Sequence, residues 1–166
     1  MDSARGQLLI AGPGLLDPNF WRTVVLIVEH SDEGALGLVL NRPSETTVGE
    51  AVSELEQLLD LDDPLYVGGP VQPSALIVLA EFDQPTEAAL IAFDDVGVLA
   101  NGAQEDPSLS VRRGRAFVGH AGWGPGQPPG GRGPRLPRLC TCGFTWSATC
   151  TAGPMRWPPR PTAQTR

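Results

Sequence analysis

The sequence predicts an α+β domain, a compact twisted mixed sheet with a few packed helices. Short apolar runs rich in Val, Ile and Leu recur along the first three-quarters of the chain, each closed by Gly, Pro, Asn or Asp, the pattern of strands punctuated by turns. One span, residues 48–59, carries apolar residues at helical spacing. Strands outnumber helices without regular alternation, which speaks against a doubly wound parallel sheet.

Taken in order, Gln7-Leu8-Leu9-Ile10-Ala11 is stopped by Gly12-Pro13-Gly14, and its length suits a buried strand rather than a helix. Asp17-Pro18-Asn19-Phe20 reads as a turn. Residues 23–28 are β-branched and continuously apolar, which implies burial on both faces. A turn at Ser31-Asp32-Glu33-Gly34 leads into a second strand over 35–40, and the two are expected to form a hairpin in a central sheet. That strand ends at Asn41-Arg42-Pro43. In 48–59, Val48, Ala51, Val52, Leu55, Leu58 and Leu59 recur at three- and four-residue steps, an amphipathic helix whose entry, Thr47 with Glu50, matches a capping box. Shorter strands are expected at 65–67, 75–79, 96–99 and 116–119.

The 166 residues are enough for one domain with one core. No run of about 18 apolar residues occurs and the N-terminus lacks the pattern of a signal peptide, so a cytoplasmic protein with no membrane association is expected. Residues 1–127 hold six arginines against nineteen acidic side chains, a balance of −13, and the chain has no lysine. Direct nucleic-acid binding is therefore not expected, since phosphate contacts need clustered cations. After Gln127 the composition changes abruptly. Residues 128–166 contain eight prolines, six arginines and all three cysteines but no acidic residue, and an odd cysteine count without an export signal argues against a disulfide framework.

Several motifs stand in one order: Leu8-Leu9-Ile10-Ala11, Asp17-Pro18-Asn19-Phe20, Arg22-Thr23-Val24-Val25, Glu29-His30, Gly34-Ala35-Leu36-Gly37-Leu38-Val39-Leu40-Asn41-Arg42-Pro43, Gly68-Gly69-Pro70-Val71 and Gly122-Trp123-Gly124-Pro125-Gly126-Gln127. Together they resemble the bacterial AlgH/YqgE family, small α+β proteins without an assigned activity, some of them described as proposed transcriptional regulators lacking a defined DNA-reading element. The sequence departs from the family pattern at His120, where tyrosine is more usual, and again after Gln127, where the family continues Leu-Glu-x-Glu into a helix and a Trp-containing strand. The resemblance thus implies a domain over 1–127 with its C-terminal elements missing and a non-family tail over 128–166. A frameshift accounts for that tail: among synonymous codons, Pro129-Gly130-Gly131-Arg132-Gly133 can be written so that the next frame reads Leu-Glu-Ala-Glu-Val. The tail is expected to be disordered.

Candidate binding residues are Arg22, His30, Asn41, Arg42, Gly68, Gly69, Trp123 and Gln127. Asn41 beside Arg42 could hold a carboxylate or phosphate; the plainer reading has Asn41 capping the turn and Arg42 paired with an acidic neighbour. Gly68-Gly69-Pro70 could cradle an anion through backbone N–H groups or serve as a structural turn. It lacks the Lys-Ser/Thr of a phosphate-binding loop. His30 with Glu29 and His120 could form an acid/base or metal site if the fold brought them together. Trp123 and Gln127 sit in a glycine-rich loop suited to a ligand cleft, with Trp123 as a core plug the alternative. No nucleophile-elbow or zinc motif is present, and no cofactor or metal is expected. The expectation is a non-enzymatic binding or regulatory protein acting on a protein or small-molecule partner. The alternative is a small-ligand-binding protein or enzyme with a cleft near Arg22, Asn41, Arg42 and the two glycine loops.

Overall fold

The structure, a computed structural model, describes residues 3–12, 14–100 and 109–127. Its strands are β1 (Leu8–Ile10), β2 (Val24–Ser31), β3 (Gly34–Val39), β4 (Pro43–Thr47), β5 (Pro64–Val67), β6 (Val71–Phe82), β7 (Ala88–Phe93), β8 (Val96–Leu99) and β9 (Val111–Trp123). They join in one curled mixed sheet of order β1-β2-β3-β9-β6-β8-β7. Off that path β5 lies parallel to β9, and β4 pairs antiparallel with β5. The long strand β9 organises the whole. One of its edges carries β6 from Val111 to His120, while the other is shared, with β5 beside Phe117 and Val118 and β3 beside residues 121–123.

The hairpin of β2 and β3 is antiparallel as the sequence predicts, with a bulge between Ile27 and Glu29. Its burial on both faces also follows the sequence. Leu26 and Val28 point inside the curl, where they meet Leu38, Leu79, Ala92 and Phe117. Val25 and Ile27 point to the outside, where Leu9, Val39 and Ala121 lie under Phe20 and Trp123. A third cluster covers the outer face of β6 and β9, with Val48, Leu55, Leu58 and Leu59 packed on Val78, Ala80, Phe82 and Ala116.

The helical content is smaller than the sequence predicts. Residues 48–59 form one helical turn, α1 (Val48–Ala51), and a 3-10 turn (Ser53–Leu55), instead of one continuous helix. Val52 between them is extended at φ −150°, ψ 94°. Gly49 is a poor helix former. The N–H groups of Val48 and Gly49, which a helix leaves without an internal partner at its first turn, donate to the carbonyls of Asp63 and Leu61, both at 2.9 Å, and so anchor the start of the turn. Of the six apolar positions in that spacing, Val48, Leu55, Leu58 and Leu59 are in the core, Val52 is half-buried and Ala51 is exposed. The capping box is formed as expected: Thr47 Oγ1 accepts from the Glu50 N–H at 3.3 Å and Glu50 Oε2 accepts from the Thr47 N–H at 2.9 Å. Strands β4 and β7 were not anticipated, and β6 and β9 run well beyond the segments expected within them. The expectations for 128–166, including missing C-terminal elements, a frameshifted origin and disorder, lie outside the described residues.

Candidate functional site

Three of the eight candidate residues meet at the loop between β1 and β2. Asn41 follows β3, and its side chain acts as an extra peptide group: Oδ1 accepts from the Val24 N–H at 2.9 Å and Nδ2 donates to the Arg22 carbonyl at 2.8 Å. Arg42 Nη2 donates to the carbonyls of Pro18 at 2.9 Å and Trp21 at 3.3 Å. Arg42 therefore ties down backbone rather than pairing with an acidic neighbour. Arg22 occupies the left-handed region at φ 55°, a conformation uncommon for a non-glycine residue, and its guanidinium lies 4.3 Å from the centre of the Trp21 ring. Thr23 Oγ1 donates to the Phe20 carbonyl at 2.8 Å. Phe20 in turn stacks on Trp123 with ring centres 6.3 Å apart.

This anchoring leaves Leu16 and Trp21 turned outward, 83% and 46% exposed. An exposed Leu alone would mean little. A Trp with an Arg resting on its face, on a loop held by several hydrogen bonds, is a different matter, because Trp and Arg dominate the energetics of binding surfaces.

The remaining candidates have structural employment. Gly68 and Gly69 are buried, and a Cβ at either would overlap the β9 backbone at Gly119 or His120. The Gly68 N–H already donates to the Val118 carbonyl at 2.9 Å, and the Gly68 carbonyl accepts from Val39, so this N–H is not turned toward a ligand. His30 Nδ1 accepts from the Ala4 N–H at 2.9 Å. It lies level with Ala35, which pairs with Trp123, so His30 and His120 sit on different strands three residues out of register. His120 is half-buried with Nδ1 lacking a hydrogen-bond partner, and burial lowers its pKa from 6.5. Trp123 packs against the outer cluster of β2 and β3 as a plug, and Gln127 Oε1 accepts from the Gly124 N–H at 3.0 Å, closing its own turn. Among the described residues no group of three or more His, Cys, Asp or Glu side chains is placed to hold a metal, and no helix is long and apolar enough to cross a membrane.

Two concavities occur elsewhere, and none of the eight candidates lines either. The first, about 90 Å³, is walled by Val48, Leu59, Pro64, Gly114 and Ala116, with Asp63, Tyr66 and Arg115 as its polar members. The Arg115 guanidinium lies 4.3 Å from the Tyr66 ring centre. Burial raises the pKa of Asp63, Asp60 and Asp62 add to the rise, and Arg115 opposes it. The second is an open recess among Glu81, Phe93, Asp94, Asp95, Val96 and Arg113. Several of its charges are paired: Arg112 bridges Glu81, Asp83 and Asp95, and Arg113 bridges Glu81. Sequence reasoning missed Leu16, Trp21, Asp63, Tyr66 and Arg115. Arg113 and Arg115 were visible as an alternating pair on a strand face, but the strand beneath them was not recognised that far.

Comparison with known proteins agrees with this architecture. The sequence profile described as AlgH-like matches residues 8–128. A UPF0301 protein of Chlorobaculum tepidum is 40% identical over 129 residues, a match covering 74% of this chain and 66% of that protein, so the chain spans slightly under two thirds of that relative's length. Among solved structures, a crystal structure of a Corynebacterium diphtheriae protein superposes with a TM-score of 0.66 at 28% identity, covering 76% of this chain and 70% of that one. The solution structure of the AlgH protein from Pseudomonas aeruginosa gives 0.57 at 29% identity, covering 75% and 70%. The chain belongs to the AlgH-like family.

Proposed function

We propose that this chain is a non-enzymatic, cytoplasmic binding protein with a regulatory role, and that it recognises a partner protein through the loop between β1 and β2. The observation that carries this reading is the exposed Leu16, Trp21 and Arg22 surface on a loop pinned by Asn41 and Arg42. A pinned loop loses little conformational entropy when a partner docks, so its aromatic and cationic contacts count nearly in full. The partner surface that fits is an apolar socket rimmed by carboxylates, complementary to Trp21 and Arg22. The alternative, a small-ligand or catalytic cleft built on Arg22, Asn41, Arg42 and the glycine loops, has less support, because the Asn41 and Arg42 side chains bond backbone, Gly68 and Gly69 are packed on β9, and none of these residues lines either cavity.

The test is selection from a displayed random-peptide library on the full chain, with affinities then compared on Trp21→Ser and Arg22→Ala. Peptides carrying acidic and apolar residues should be enriched and should weaken at least about tenfold on Trp21→Ser, the scale of a lost hot spot. Selected peptides that bind wild type and both variants equally would remove the loop from the binding surface.

A further inference from the structure

We propose that the outer edge of β1 is a docking site for an extended segment of the partner protein, which adds as a further strand beside Leu8, Leu9 and Ile10 and carries acidic residues at its ends. The inference rests on the reading of the adjoining β1–β2 loop as the recognition surface, and it adds the conformation and charge of what is recognised. The ladder with β2 decides which groups are available. The Gln7 carbonyl accepts from the Ile27 N–H and the Ala11 N–H donates to the Thr23 carbonyl, both at 2.9 Å, and Leu9 stands opposite Val25 between them. Bonding alternates along an antiparallel ladder, so Leu8 and Ile10 turn their N–H and C=O groups away from β2. Strand β1 is the last strand of the sheet path, and among the described residues no strand pairs with that side. Strand β7, at the other end of the path, comes against Gly6 at Ala92 and Phe93 without forming a ladder with β1.

Exposed sheet edges are normally blunted by proline or charge. Strand β4, which pairs with β5, carries Pro43 and Glu45. Strand β1 carries neither, being Leu8-Leu9-Ile10 with Ile10 38% exposed. The loop that follows is drawn the other way: Asn41 and Arg42 tie residues 18–24 to the end of β3, which lies across β2 from β1. Charge selects the occupant further. From Ser3 to Leu16 the chain has no acidic residue and one arginine, Arg5, within a region that is otherwise strongly acidic. Arg5 and Arg22, both exposed, stand before and after this strand in the chain. Asp17, the next acid, accepts from the Asn19 N–H at 2.8 Å. A segment with an apolar centre and acidic ends therefore complements the edge, with main-chain bonds supplying affinity and side chains supplying selectivity. A second copy would set two net-negative chains edge to edge, so like charge opposes that occupant.

The probe is the capped peptide Glu-Glu-Val-Ile-Val-Glu-Glu, titrated into the full, isotopically labelled chain, with hydrogen exchange read at individual backbone amides. Saturation should slow exchange at Leu8 and Ile10 at least about tenfold and leave Leu9 and Ala11, already turned to β2, unchanged. Methylating the amide nitrogens of both valines, or that of the isoleucine, blocks alternate sides of an added strand. One version should bind at least about tenfold more weakly and the other like the parent. Lysine in place of the glutamates should also weaken binding at least about tenfold. Trp21→Ser separates the edge from the loop. Slowing at Leu8 and Ile10 that survives this change unaltered supports the edge and removes the loop, whereas binding that it weakens without any slowing at Leu8 and Ile10 keeps the loop and overturns the edge. Absence of saturable binding, equal weakening by both methylated peptides, or Leu8 and Ile10 amides already slow in the free chain, through a second copy or another part of this chain, would also overturn the proposal.

Discussion

Arg22 shows how one residue can couple backbone strain to surface chemistry. It holds a left-handed backbone at φ 55° that glycine would adopt freely, while its side chain covers Trp21. Arg22→Gly should therefore leave stability unchanged or raise it by up to about 1 kcal/mol in chemical denaturation, yet weaken partner binding. A loss of stability above that scale would mean the guanidinium holds the loop together. Asn41 works in the opposite sense. Replacing it with Ala breaks two hydrogen bonds to the loop and should cost about 1–3 kcal/mol, measured as a shifted urea midpoint with an unchanged slope. Asp63 offers a pH test. Its folded pKa is raised above 3.8, chiefly by burial, so the folded state holds its proton longer than the unfolded state does. The stability this contributes is present below pH 3.8 and is lost as pH rises through the raised value. Asp63→Asn should accordingly be more stable than wild type at neutral pH, with the advantage vanishing in acid; an advantage independent of pH would contradict burial as the cause. The Asn41-Arg42 pair stood out in the sequence, but not that the two side chains would bond backbone groups of residues 18–24, Asn41 to the Val24 N–H and the Arg22 carbonyl and Arg42 to the Pro18 and Trp21 carbonyls.

At the scale of elements, the apolar runs identified β1, β2, β3, β5 and β8, because a strand buried on one or both faces must show that burial in its composition. Strand β4, Pro43-Ser44-Glu45-Thr46-Thr47, carries no apolar residue beyond its proline, so nothing in its composition announced it. It exists because β5 offers a free edge and because the chain must return from Arg42 to α1. The 48–59 span erred in the other direction. Its spacing recorded most of the residues that are buried, Val48, Leu55, Leu58 and Leu59, while the extended backbone at Val52 is a feature that periodicity does not register. The capping box at Thr47 is local and was legible. Thr47→Ala should lower stability by about 1 kcal/mol. A change within about 0.2 kcal/mol in denaturant melts would show that the single turn α1 is held by its tertiary bonds alone.

Across the whole molecule, β9 is the strand on which all three clusters of the core converge: Ala116 in one, Phe117 in the next and Ala121 in the third. Phe117→Ala should cost about 3–5 kcal/mol, a large part of the 5–15 kcal/mol typical of a domain, and should lower the thermal midpoint accordingly. The charge balance also belongs to this scale. With six arginines against nineteen acids in residues 1–127, and with Arg112 and Arg113 committed to Glu81, Asp83 and Asp95, this part of the chain should bind duplex DNA no better than a non-specific acidic protein. An anisotropy titration of residues 1–127 showing micromolar affinity with a steep salt slope would contradict this. On the proposed function, the loop between β1 and β2 is the surface by which this protein meets its partner. The direct measurement is photocrosslinking in living bacteria, with benzoylphenylalanine placed at Trp21 in one strain and at exposed Asp32, at the tip of the β2–β3 hairpin, in another. A discrete adduct is expected from position 21, lost when Arg22→Glu is added, and none from position 32. No adduct at 21, or the same adduct from both positions, would contradict it.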